Sequence, residues 1–307
     1  MTPPSWQPEI AACLKRSRAR WDTPMREATS FRIGGPADCL IDLESEEELL
    51  GVFRVIRTFD LAWRILGKGS NILVADEGLR GVTLRLGKGF SGVTRKEGPG
   101  GLVRAGAGVS NPVFVRTTRG WGLGGMEYLM AIPGSLGGAM AMNAGAHGKE
   151  TVQFLREARV FRVQEGEIRD IPTAGLDFGY RRSALSAANG NLALEGVFAL
   201  ESLDAAEMAR REKEIQQIRR ETQPRENPNC GSVFKNPPGH FAARLIQEAG
   251  LKGTRLGEAQ ISLKHANFIV NLGQATAADV LGLITIIQKT VKDSSGVELE
   301  TEVQVIR

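Results

Sequence analysis

The chain has 307 residues, 42% of them hydrophobic and 24% charged, and a net charge of +4. That length exceeds one ordinary core and implies two or three domains, while so small a net charge gives little support to nucleic-acid binding. Three cysteines without a CxxC spacing (Cys13, Cys39, Cys230) and only three histidines (His147, His240, His265) argue against a zinc site or a disulfide framework and for a reducing compartment.

Residues 1–28 contain no apolar run of the kind a signal peptide needs and read as a polar N-terminal extension, so a cytoplasmic location is expected. Residues 38–43 read as a strand. Ser45 with Glu48 then has the form of a capping box opening a helix whose Leu49, Leu50, Phe53 and Ile56 share a stripe. Residues 61–66 are the next strand, which runs straight into the turn Gly67, Lys68, Gly69, Ser70, Asn71 and a further strand at 72–74. A Rossmann fingerprint would follow the first strand and open a helix, so this spacing argues against that site. Short strands follow at 82–86 and 102–105, then a helix with Ser110 as its expected cap.

Residues 124–148, GGMEYLMAIPGSLGGAMAMNAGAHG, are dominated by small side chains and broken at Ile132, Pro133 and Gly134. The interruptions, with Glu127 inside, exclude a membrane-spanning helix, which needs roughly 20 predominantly apolar residues. Glycine lets the backbone approach a ligand closely, and successive free N–H groups bind anionic oxygens. Two such stretches in one chain point to a large, flat, phosphate-bearing ligand, for which a dinucleotide cofactor is the natural choice. Strands are expected at 158–163, 168–171 and 193–200, and a charged helix over 204–225 that ends in QPRENPN, a domain junction. Beyond it come a helix at 241–249, a strand at 267–270, a helix capped by Thr276 with Asp279, and a last strand at 297–306. The class is α+β.

Four segments offer chemistry. CGSVFKNP, Cys230 to Pro237, brings a hydroxyl (Ser232), a cation (Lys235) and an amide (Asn236) together on a glycine turn, and taken alone reads slightly better as an ordinary connection. Ser232 lacks an adjacent His and a GxSxG frame, so passing a proton suits it better than hydrolysis. FGYRRS, residues 178–183, sets two arginines beside Tyr180; arginine binds carboxylate and phosphate in a fork, although a random Arg-Arg is more often a solvated pair. LETEV, residues 299–303, alternates like a strand, with Glu300 and Glu302 on one face and Leu299 and Val303 on the other. His265 reads first as a structural partner of nearby backbone.

These blocks occur in order with TSFRIGGPAD (29–38), IPGSLGGA (132–139), NAGA (143–146) and AGLKG (249–253), and as an ordered set they resemble the UDP-N-acetylenolpyruvoylglucosamine reductase family over nearly the whole chain. The resemblance implies a vanillyl-alcohol-oxidase-type FAD-binding fold of two subdomains, at about 29–80 and 81–203, with a smaller α+β substrate-binding domain at 204–307 whose C-terminal strand returns to the active site. The resemblance also implies that FAD is non-covalent, and residues 67–71 offer neither His nor Cys. Gly67, Lys68, Gly69, Ser70 and Asn71 would hold its pyrophosphate, and Ile132, Pro133, Gly134, Gly137, Gly138, Ala139, Asn143 and Gly145 would line the flavin.

The activity implied is the NADPH-dependent reduction of UDP-N-acetylglucosamine enolpyruvate to UDP-N-acetylmuramate, a step of bacterial peptidoglycan precursor synthesis, by a monomer that binds neither nucleic acid, membrane nor metal. Arg181, Ser232 and Glu302 would be catalytic. Tyr180, Lys235, Asn236 and His265 would contact substrate, and Arg225, Arg219 or Arg220 would hold its diphosphate. No tyrosine lies between Arg181 and Ser232, which matches the shorter class of the family, lacking the loop tyrosine that folds over UDP. An FAD-dependent oxidase of a small alcohol or hydroxy acid, and a non-catalytic flavin or nucleotide-sugar-binding module, are the rival readings.

Overall fold

The computed structural model describes residues 5–97 and 101–307; the first four residues of the expected N-terminal extension lie outside them. The chain forms two compact units, each assembled from separated stretches. Unit 1 is Met1–Trp21, Cys39–Lys68 and Gly81–Gln216, and unit 2 is Asp22–Asp38, Gly69–Arg80 and Gln217–Arg307. Two of the boundaries fall inside the first glycine turn, between Lys68 and Gly69, and inside the helix Ala205–Thr222; the other three fall inside the strands Ala19–Pro24, Pro36–Leu43 and Leu79–Leu86.

Unit 1 has two cores. The first surrounds most of a four-stranded sheet in the order Ala19–Pro24, Pro36–Leu43, Leu79–Leu86, Trp63–Leu66, the last two parallel. Helix Glu46–Thr58 closes it with Leu49, Val52, Phe53, Val55 and Ile56, the stripe that a 3.6-residue period produces. Order in the N-terminal extension, which the sequence leaves open, is supplied by helix Trp6–Cys13, whose Ile10 is fully buried in this core. The expected capping box forms only by half. Ser45 accepts from the Glu48 N–H, but the Glu48 carboxylate turns away to the backbone of residues 15–17 and 44.

The second core of unit 1 lies on an antiparallel five-stranded sheet in the order Glu167–Pro172, Leu155–Arg162, Asn191–Ala199, Leu102–Gly106, Val93–Arg95. Phe114, Tyr128, Leu129, Leu136, Met140 and Phe198 fill it. Helix Asn111–Arg119 begins after Ser110 as expected, but Ser110 makes no side-chain capping bond, and Pro112 occupies the first turn instead.

Unit 2 packs Phe234, Ile246, Ile269, Val280, Leu283 and Ile287 around the helix Ala277–Ser295 and a three-stranded sheet of Arg255–Leu256, Ala259–Ile261 and Ile269–Asn271. The Thr276–Asp279 capping box is complete. Asp76 adds to it, its carboxylate accepting from Ala277 N (2.8 Å) and Ala278 N (3.0 Å). Several elements differ from expectation in their bounds, the strand expected at 267–270 being Ile269–Asn271. The helix expected at 241–249 is Ala242–Glu248, and the long C-terminal strand shrinks to Gln304–Ile306, paired in parallel with Ile72–Val74. Residues 299–303 stay outside the strand because their backbone is spent on the Cys230–Pro237 segment instead.

Candidate active site

In unit 1 the two glycine-bearing stretches meet. A Cβ built on Gly67 would come within 2.8 Å of Ser135 Oγ, the hydroxyl that caps helix Leu136–Ala141 through Gly138 N. A side chain there would press on the capping hydroxyl. Residues 132–137 are held from behind: Asn111 donates from Nδ2 to Ile132 O (2.9 Å), Leu136 N donates to Val109 O and Gly137 N to Ala107 O. A Cβ on Gly137 would sit 2.9 Å from the Ala107 methyl, whereas Gly138 is exposed and has room for one. The stretch is therefore a rigid, bare shelf of backbone, one edge packed and the other open.

The two adjacent arginines are sorted by the backbone. Residues 179–182 form a tight turn in which Gly179 and Arg182 exchange both backbone hydrogen bonds. Arg182 leaves it as the solvated partner of Asp177, at 2.8 Å, with side chains 65% and 72% exposed. Arg181 has a left-handed backbone, φ +55°. Its guanidinium lies 4.8 Å from the centre of the Tyr180 ring and donates to Gly145 O at 3.2 Å. That combination stacks and aims one fork while the other serves the surface.

In unit 2 the rest of the glycine turn is held by its own conformation. Gly69 has φ +69°, and a Cβ there would fall 2.4 Å from Ala28 O. Asn71 Nδ2 donates to Glu302 O (3.1 Å), and Gln304 N donates to Asn71 O (3.0 Å), so the turn and Glu302 are tied together. Glu302 is tied in turn to the serine segment: Glu302 N donates to Val233 O (2.8 Å), Lys235 N donates to Glu300 O (2.9 Å), and Phe234 bridges Thr301. Asn267 braces the same segment by accepting from Phe234 N and donating to Phe234 O. Ser232 Oγ has no hydrogen-bond partner among the described residues, and Gly231 beside it, at φ +81°, faces open space.

The other expected contacts divide. Lys235 pairs with Glu300, whose side chain is 73% exposed, while Glu302 is half-buried. Asn236 Oδ1 accepts from Ala242 N and so starts the helix Ala242–Glu248. Burial pushes the Cys230 thiol up to about 12, its own backbone hydrogen bond opposes this, and the nearby Glu302 carboxylate adds to it. Cys230 is thus an inert thiol beside the serine, a point the sequence leaves open. His265 stacks edge-on against Phe268 at 4.7 Å; its Nδ1 is buried without a partner, and burial and then Lys252 push its pKa below the ordinary value. Burial, and after it the charge of Arg225, lowers the pKa of Arg219, so these two cations are neighbours. Sequence reasoning missed the braces Asn111, Ser183 and Asn267, whose partners are backbone groups 21 to 43 residues away, and the cap Ser135, whose partner Gly138 N lies three residues on.

Among the described residues no cluster of His, Cys, Asp and Glu could hold a metal ion, and no helix is long and apolar enough to cross a membrane.

Comparison with known proteins gives a consistent result. Residues 37–171 match the model of an FAD binding domain, and residues 223–306 that of the UDP-N-acetylenolpyruvoylglucosamine reductase C-terminal domain. The chain is 45% identical over 288 residues to UDP-N-acetylenolpyruvoylglucosamine reductase 2 of Symbiobacterium thermophilum, covering 94% of this chain and 92% of that one. It is 40% identical over 298 residues to the reductase of Halalkalibacterium halodurans, covering 97% of each. Its structure resembles the crystal structure of UDP-N-acetylenolpyruvylglucosamine reductase from Thermus caldophilus, with a TM-score of 0.78 and 37% identity over 95% of this chain and 99% of that one. The expected α+β class is the class found, and the expected FAD-binding part matches the FAD binding domain model.

Proposed function

Because this chain belongs to the UDP-N-acetylenolpyruvoylglucosamine reductase family, we propose that it reduces UDP-N-acetylglucosamine enolpyruvate to UDP-N-acetylmuramate for peptidoglycan precursor synthesis, with non-covalent FAD as cofactor and NADPH as co-substrate. The residues present fit FAD: the bare backbone where Gly67 meets Ser135, and the open side of Gly138, leave a large ring system free to lie close to the chain. Residues 67–71 and the backbone of 132–145 would hold it. Bound there, FAD would supply hydride-transfer chemistry between NADPH and the methylene carbon of the enolpyruvyl group.

The protein's own groups then answer for the charge and the proton. As the methylene carbon is reduced, negative charge moves onto the substrate carboxylate and must be met by donors already in place. Arg181 takes that role, since its guanidinium is stacked and aimed before substrate arrives. Ser232 gives the proton to the carbon bearing the ether oxygen and carboxylate, and regains one from solvent or a partner. Glu302 serves on the same carboxylate in its protonated or hydrogen-bonded form, because a bare carboxylate would repel the developing charge. A monomer working in the cytoplasm goes with this reading, which the family membership favours over an oxygen-dependent oxidase or a passive binding module.

The observation that supports these roles best is the unpartnered Ser232 hydroxyl on a segment braced by Asn267 and joined by backbone hydrogen bonds to Glu302. The test is the visible spectrum followed anaerobically. Flavin absorbance should bleach with NADPH and return with the enolpyruvyl nucleotide, and Ser232→Ala should slow the return while sparing the bleaching. A colourless protein that FAD cannot reconstitute sinks the reading.

A further inference from the structure

We propose that Asn143 is the positioning residue for Arg181, holding the arginine's turn in place through its side-chain amide rather than contacting the cofactor with it; this rests on the carboxylate-binding role of Arg181 given above. Asn143 is buried, 1% exposed, and adopts a left-handed backbone at φ +41°, a conformation asparagine tolerates better than most residues. Its amide is fully committed inside the fold. Oδ1 accepts from Val152 N (3.0 Å), which fixes the orientation of the group. Nδ2 donates to Glu150 Oε2 (2.9 Å) and to Gly179 O (3.1 Å). Both amide hydrogens are therefore used, and none remains for a ligand.

Gly179 opens the four-residue turn that carries Tyr180 and Arg181 at its tip. The arginine returns the contact, since Arg181 Nη2 donates to Gly145 O, two residues beyond Asn143. The two bonds run in opposite senses: the Asn143 side chain binds the backbone of the arginine turn, and the Arg181 side chain binds the backbone of the asparagine segment. Beyond the tip, Ser183 Oγ lies 3.0 Å from Met140 O and 2.9 Å from Ala141 O, and closes the other end. A left-handed arginine is unfavourable on its own and persists only where its surroundings over-determine it. Asn143 supplies a side-chain bond that reaches the turn from the glycine-rich stretch, and Glu150 steadies it with a charge-assisted acceptor in the hairpin Gly145–Ala146 with Lys149–Glu150.

Two variants separate the amide from the backbone. Asn143→Gly keeps the left-handed conformation and removes the side chain, and Asn143→Asp keeps the acceptor for Val152 N and loses both donors. The diagnostic is calorimetric affinity of the flavin-loaded protein for UDP-N-acetylmuramate, which bears the carboxylate, relative to UDP-N-acetylglucosamine, which lacks it. Both variants should retain flavin and lose most of that ratio, and the return of flavin absorbance on adding the enolpyruvyl nucleotide should slow by about 10- to 100-fold, the scale of a misplacement near 1 Å. Arg181→Ala, measured alongside, tells the two ideas apart. If it keeps the ratio and the rate, the role of Arg181 is wrong. If it loses both while the Asn143 variants keep them, the positioning role alone is wrong. Loss of bound flavin in both Asn143 variants also overturns it, because the side chain would then serve the cofactor or the fold at large.

Discussion

Glu48→Gln is the sharpest test of how the first core is held. The Glu48 carboxylate is fully buried and accepts from Lys15 N (2.8 Å), Arg16 N (2.5 Å) and Ser17 N (3.0 Å) on one oxygen, and from Ser17 Oγ (2.5 Å) and Glu44 N (3.1 Å) on the other. Burial alone would raise its pKa, but the Ser17 hydroxyl and the N–H groups of Arg16, Ser17 and Glu44 outweigh it and hold the group at about 2 against an ordinary 4.5. The sign follows directly. A carboxyl whose folded pKa is depressed contributes stability that is fully present above its unfolded pKa and is lost as the pH falls toward the folded one. The gap corresponds to about 3 kcal/mol at pH 7, at 1.36 kcal/mol per pKa unit, falling to about 1.5 kcal/mol at pH 3, where the unfolded chain is already protonated.

Glutamine keeps the volume, removes the charge and turns an amide donor toward backbone donors. Urea unfolding followed by tryptophan fluorescence is the natural assay, because Trp6, Trp21, Trp63 and Trp121 all belong to unit 1. The variant should be less stable than the parent by about 3 kcal/mol at pH 7 and by about half that at pH 3. Equal midpoints at pH 7, or a difference that stays constant across the two pH values, would refute the argument.

Three further outcomes follow from the same geometry. Gly67→Ala should weaken FAD retention, because its Cβ meets Ser135 Oγ at 2.8 Å and forces the turn away from the helix Leu136–Ala141; Ser135→Ala added to it should restore retention, as the Ser135 Cβ stands 3.9 Å away, and failure of that rescue removes the steric explanation. The His265 ring should stay neutral at neutral pH and titrate below the ordinary 6.5, so its burial costs stability as the pH falls below that value; an NMR titration with the signal assigned by His265→Gln reads this directly, and an unshifted midpoint contradicts it. Asp76→Ala should destabilise unit 2 by about 1–2 kcal/mol through lost N-terminal donors of helix Ala277–Ser295, seen as faster hydrogen exchange at residues 277–279, and unchanged exchange there contradicts the capping role.

Features written within one helical turn were the legible ones. Thr276 and Asp279 form the expected box because both partners lie on the same first turn. Ser45 and Glu48 have the same spacing, yet Glu48 abandons its half because a distant run of N–H groups at 15–17 competes for the carboxylate. Residues 299–303 show why the C-terminal strand was overdrawn. Their alternation correctly buries Leu299 and Val303, but burial on one side does not say which backbone will pair with them, and the Val233 carbonyl claims both Glu302 N and Val303 N.

The candidate site adds a second reason. Two adjacent arginines are equivalent in a sequence, and only the left-handed backbone at Arg181 separates the stacked fork from the solvated Arg182. That backbone state is set by Asn143, Gly145 and Ser183, residues whose bonds join positions 36 to 43 apart in the chain. No window of local propensity contains both ends of such a bond. The family resemblance reached Arg181 because it compares whole ordered sets of residues, and it carries the result of the packing without the cause. The glycines explain the rest: Gly67, Gly69 and Gly137 announce a close approach in the sequence, while the groups they approach (Ser135 Oγ, Ala28 O and Ala107) become identifiable only once the chain is folded.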